Sequence, residues 1–127
     1  MPRKSDLLKK GRRTTGPKRR RAPRTPGRQR LQALVEEAVV DAYDESEQRA
    51  GLFAMIEEHL LLPFETKVLG IAVTIERIDL TEAGEIVARC SRGHQHQSVP
   101  LLNLPLPKPP PAGAEWIEAY RYWARGQ

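Results

Sequence analysis

Residues Val39 to Phe64 read VVDAYDESEQRAGLFAMIEEHLLLPF. Six of these 26 residues are carboxylates: Asp41, Asp44, Glu45, Glu47, Glu57 and Glu58. Between them run apolar residues at helical spacing, with Leu52, Phe53, Ile56 and Leu60 on one face. Asp44 is placed to end one helix and cap the next, with Glu47 three residues on as in a capping box. Gly51 inside the second helix costs about 1 kcal/mol relative to Ala. Its presence predicts either a bend or a neighbour packed close. Pro63 stops helical propagation and biases Leu62 toward extended backbone.

Upstream, Leu31, Leu34, Val35, Ala38, Val39 and Ala42 predict a helix over 30–43, with Glu36, Glu37 and Asp41 off most of the stripe. Downstream of Glu65 the apolar period shortens to two. Val73, Ile75 and Leu80 alternate with Thr74, Glu76 and Asp79, which predicts a half-buried strand. TEAGE, residues 81–85, is a turn with Gly84 free to take positive φ. Ile86, Ala88 and Cys90 make a return strand, alternating with Val87 and Arg89. After a turn at Arg92-Gly93, a further strand runs from Gln95 to Leu101 and on through Leu102, Leu104 and Leu106. KPPPAG, residues 108–113, is a stiff spacer. A helix over 114–124 then presents Trp116, Ile117, Tyr120 and Trp123 on one face, as a docking stripe for the core. The expected fold is α+β: N-terminal helices, a small SH3-like antiparallel sheet or barrel, and a C-terminal aromatic helix.

Charge divides the chain. Residues 1–30 hold 13 Lys/Arg and one acid, a net +12, whereas 31–127 hold 8 Lys/Arg and 15 acids, a net −7. The pI of 9.7 therefore describes the arm and not the body. The arm is rich in Pro, Gly and like charges, and disorder is expected because little apolar surface can offset the entropy of ordering. Two parts follow: a disordered basic arm, 1–30, and a folded acidic domain, 31–127. Lys18, Arg19, Arg20 and Arg21 are the densest basic cluster and the candidate contacts for nucleic acid or other polyanions. No aromatic residue in the arm can stack on bases, so the expected contact is nonspecific.

The sequence offers no P-loop, GxGxxG or GxSxG, and the expected protein is not an enzyme. One cysteine excludes an intrachain disulfide framework. Cys90, His94 and His96, with His59 as a distant fourth, match no strong zinc spacing. With no secretory signal and no apolar run long enough to span a bilayer, a cytoplasmic monomer is expected. Calcium takes 6 to 8 oxygen ligands, mostly carboxylates and carbonyls. Two acidic sets offer them: Asp41, Asp44 and Glu45 at the helix junction, and Asp79, Glu82 and Glu85 around TEAGE. The EF-hand pattern is absent. Acid runs by themselves are more often solvated surface than ligands.

The chain resembles the CcbP-type calcium-binding proteins, small bacterial proteins without EF-hands. The resemblance is carried by Val39-Val40-Asp41-Ala42-Tyr43, Asp44, Glu45, Glu47, Arg49-Ala50-Gly51, Ile56-Glu57, Leu60 and Pro63-Phe64. It returns at Val99-Pro100-Leu101 with Leu104, and ends at Tyr122-Trp123. It implies the α+β fold described above and binding of Ca2+ by clustered surface acids, as a cytoplasmic buffer or sensor without catalysis. The connection from Asp79 to Glu85 is shorter than the family's acidic loop. That motivates the alternative of a non-catalytic protein- or nucleic-acid-interaction module that has lost its metal.

Overall fold

The structure is a computed structural model that describes residues 26–126. Residues 1–25, which hold Lys18, Arg19, Arg20 and Arg21, lie outside the described residues. The elements run α1 (Arg28–Ala38), α2 (Glu45–His59), β1 (Phe64–Val68), β2 (Ile71–Leu80), β3 (Ile86–Arg92), β4 (Gln95–Pro100), a 3-10 turn (Leu101–Asn103) and α3 (Ala114–Gly126). The class is α+β, as expected. The sheet is antiparallel throughout in the order β1-β2-β3-β4.

α1 ends at Ala38, five residues short of the predicted end. Val39 and Val40 are β-branched and propagate a helix poorly. The chain turns there instead, with the Ala42 N–H bonded to the Val39 carbonyl at 2.9 Å. At the start of α2 the Asp44 half of the expected capping box forms, and the Glu47 half is displaced by one residue. Asp44 Oδ1 accepts from the Glu47 N–H at 2.8 Å, and Glu47 Oε1 accepts from the Tyr43 N–H at 2.6 Å. The Glu47 bond goes to the residue before the cap. Two otherwise unpartnered donors are thus satisfied.

β1 and β2 are joined through Leu69 and Gly70, with φ of 53° and 78°. Such paired positive values match the right-handed twist of a hairpin. At TEAGE, Gly84 takes φ 84°, and Thr81 closes the turn by accepting the Glu85 N–H on its Oγ1. A bulge falls between Ile75 and Arg77. Strict alternation would turn Ile78 outward. The extra residue resets the phase, so Ile75 and Ile78 both face the core.

β4 stops at Pro100, and the strand expected to continue through Leu106 leaves the sheet. Pro100, Pro105 and Pro107 have no N–H to give a ladder. Leu101 and Leu104 are nonetheless fully buried. The segment lies against β1 through one side chain, the Thr66 hydroxyl donating to the Pro105 carbonyl at 2.6 Å. β1 and β4 are not paired with each other, and barrel closure is not established.

The core lies between sheet and helices. Leu34 of α1, Leu52 and Ile56 of α2, Ile75 and Ile86 of the sheet, and Ile117 of α3 are essentially inaccessible. Each such side chain contributes about 1.5–3 kcal/mol by leaving water. α3 buries the predicted stripe of Trp116, Ile117, Tyr120 and Trp123, with Ala119 between them. Arg121 lies beside this stripe, its side chain 14% exposed. Its Nε and Nη2 donate to the Leu101 carbonyl at 3.1 and 2.9 Å, and Nη2 also reaches the Leu104 carbonyl. Arg121 therefore ties α3 to the segment that follows the sheet.

Candidate metal centre

Asp41 sits in the turn between α1 and α2, and Asp44 and Glu45 open α2. All three are exposed. Around them Val40 is 77% and Tyr43 93% exposed, so this junction projects into solvent. Asp44 already has one oxygen on the Glu47 N–H. Glu45 pairs with Arg49 at 3.1 Å. These bonds, together with the positive end of the α2 dipole, are an ordinary structural reason for acids here.

The second set is split. Glu82 and Glu85 are exposed on the β2–β3 turn, while Asp79 is at the end of β2. Asp79 Oδ2 accepts from Arg89 Nε at 2.6 Å and from Arg77 Nε at 3.0 Å. Arg89, and then Arg77, hold its carboxyl below the usual carboxylate range against an opposing effect of burial. A cation approaching Asp79 competes with two guanidiniums.

One side chain links the two sets. Arg49, with 23% of its side chain exposed, pairs through Nη2 with Glu45. Its other terminal nitrogen, Nη1, lies so close to the β2–β3 turn that a Cβ at Gly84 would stand 3.4 Å from it. The guanidinium carbon is 5.3 Å from the Trp123 ring centroid, a cation–π arrangement. Trp123 Nε1 donates to Gln48 Oε1 at 2.9 Å, which fixes the indole beneath the arginine. Tyr120 shares this environment. Burial pushes its hydroxyl pKa up, Arg49 and a backbone hydrogen bond from Ile86 pull it down, and Glu85 pushes it up again.

The donor chemistry suits calcium, since all six acids are carboxylates and five of them are exposed. Their arrangement is not a ready cage: among the described residues no group of three or more His, Cys, Asp and Glu could hold a metal ion as they stand. Cys90 and the histidines are also apart. The register pairs Cys90 with Gln97 and His96 with Ser91, which sends Cys90 and His96 to opposite faces. His59 stacks on Trp116, ring centroids 5.5 Å apart. Sequence reading missed Arg49 as a bridge, because cation–π and turn contacts across 35 to 74 residues leave no local pattern.

An α+β domain of three helices and four antiparallel strands, with exposed carboxylates on a helix junction and a hairpin turn, has close counterparts. A family profile for CcbP, described as calcium binding, matches residues 32–124, which include both acidic sets. The chain belongs to this calcium-binding CcbP family. Two solved structures share the fold. One is a calcium-binding protein in its calcium-binding form, with a TM-score of 0.61 and 17% identity over 77% of this chain and 92% of the other. The second is CcbP from Anabaena, with a TM-score of 0.58 and 17% identity over 78% of this chain and 92% of the other. No curated protein sequence matches the chain. Among the described residues no helix is long and apolar enough to cross a membrane.

Proposed function

We propose that this protein binds Ca2+ through Asp41, Asp44 and Glu45 on one side and Glu82, Glu85 and Asp79 on the other, as a non-catalytic cytoplasmic buffer or sensor. The observation that carries the reading is the family match, whose span contains all six carboxylates. Asp41, Glu82 and Glu85 are the most available donors. Asp44 keeps a second oxygen free of the cap, and Glu45 and Asp79 have to leave arginine partners. With so much rearrangement needed, the affinity falls at the sensor end of the range or weaker, micromolar at best. Calorimetry on the full-length protein tests this, with magnesium as the control ion. Heat from calcium with saturable stoichiometry supports the reading, and no heat up to millimolar calcium overturns it.

A second reading is favoured by one observation, that no metal-holding group is assembled among the described residues. In it, the domain is a monomeric interaction module that has lost its metal, and the basic arm that precedes α1 contacts polyanions independently of the domain. The two readings separate thermally. Bound calcium raises the melting temperature by mass action, whereas the module melts identically in calcium and in chelator. The arm contact is tested by DNA gel shift with full-length and arm-deleted protein. Its affinity falls steeply with salt through counterion release.

A further inference from the structure

The geometry points to Arg49 as a built-in competitor of the metal: its guanidinium holds the gap between the helix junction and the β2–β3 turn, and calcium binding requires Glu45 to leave it. This inference rests on the calcium reading above and concerns how that site is regulated.

Three contacts place the charge. Glu45 neutralises one edge of the guanidinium, the Trp123 face supports it from below, and the Gly84 turn closes on the remaining nitrogen. Each partner comes from a different element: α2 itself, α3 and the β2–β3 hairpin. Arg49 therefore has little freedom to swing away without losing all three. Gly84 is required by the turn, at φ 84°, and a Cβ there would stand within van der Waals reach of Nη1.

Among the candidate ligands, Glu45 is the carboxylate that Arg49 already neutralises. A divalent ion entering the same region meets a positive charge a few ångströms away. In a water-like dielectric at physiological salt, which screens the charges, that repulsion lowers affinity by roughly five- to tenfold, and by more where solvent is excluded. Drawing Glu45 toward calcium also removes the partner that holds Arg49 over the indole. The tryptophan is then an internal reporter of occupancy.

The experiment compares full-length wild-type protein with Arg49→Gln and Arg49→Lys by calcium calorimetry, with far- and near-UV circular dichroism to show that each variant is folded. Arg49→Gln is expected to bind calcium about five- to tenfold more tightly, while Arg49→Lys, which keeps the charge, stays near wild type. The chain has two tryptophans. In the Trp116→Phe variant the emission comes from Trp123 alone, and it should change on calcium addition with the calorimetric midpoint. Equal or weaker calcium affinity in folded Arg49→Gln overturns the role of Arg49 and leaves calcium binding standing. Absence of binding in both wild type and Arg49→Gln overturns the calcium reading and this inference together. Binding in Arg49→Gln alone supports the inference in its strongest form. Should Arg49→Gln fail to fold, the Trp123 emission decides: no change at saturating calcium overturns the displacement of Arg49.

Discussion

Gly51 of α2 lies directly against the carbonyl of Ala38, the last residue of α1, so closely that a Cβ on residue 51 would overlap the Ala38 carbonyl oxygen. The glycine therefore marks a helix crossing, and its cost in helix propensity is offset by the close approach it permits. The obstacle is backbone at the end of a helix, which yields less readily than a side-chain tip. Gly51→Ala should lose roughly 1–3 kcal/mol of stability through overpacking, despite the better helix former. Urea unfolding measures this. A variant as stable as wild type would show that α1 shifts freely.

Asp44 caps α2, and this cap can be separated by substitution from the calcium ligation proposed for it. Asparagine caps a helix about as well as aspartate, while alanine costs about 1 kcal/mol. Asp44→Asn should therefore keep the melting temperature and weaken calcium binding, and Asp44→Ala should lose both. Calorimetry and thermal melts of the two variants, side by side, distinguish the cap from the ligand.

Arg121 satisfies two backbone carbonyls, Leu101 and Leu104, from a mostly buried position. Burial, and secondarily Arg125, favours the loss of its proton, and Glu118 opposes this, 3.8 Å away. Arg121→Met keeps much of the volume but leaves the carbonyls without donors. Lost charge-assisted hydrogen bonds of this kind cost about 1.5–3 kcal/mol, and the melting temperature should fall by roughly 5–15 °C.

Asp79 contributes to acid sensitivity. Its folded pKa lies below the ordinary 3.8 because of Arg89 and Arg77. The stabilisation is therefore complete above the unfolded value and is lost as pH falls through the folded one. Asp79→Asn should flatten the stability profile below about pH 4. At neutral pH the change should cost less than about 1 kcal/mol, since the carboxylate and Arg89 are both partly solvated. Stability measured from pH 2 to 7 checks both statements.

Cys90 is buried on the core face of β3, and burial raises its thiol pKa. A thiol-reactive dye should modify it slowly in the native protein and rapidly in denaturant. Fast native labelling would show that the sheet edge near β4 opens.

Much of the architecture was legible because local rules agreed with the fold. The α2 cap at Asp44, the aromatic stripe of α3 and the TEAGE turn are each written within a few residues, where side-chain spacing and glycine conformation act directly. The same locality set the limit. The early end of α1 followed from Val39-Val40 and the Gly51–Ala38 crossing, whose partner lies 13 residues away. The phase of Ile78 depended on a bulge that a strict period of two does not contain. The strand expected through Leu106 gave way at the prolines while Leu101 and Leu104 stayed buried, so hydrophobicity alone misplaced the segment.

The sequence by itself determined the α+β class, the opposite charges of arm and body, and the two acidic segments, because composition, periodicity and capping chemistry are properties of neighbouring residues. The tertiary structure alone decided which of those acids are already engaged, and that Arg49 stands between the segments. Glu45, Gly84 and Trp123 meet at one guanidinium only after α2, the hairpin and α3 have packed, and a charge's partners are set by that distance in space rather than by their spacing along the chain.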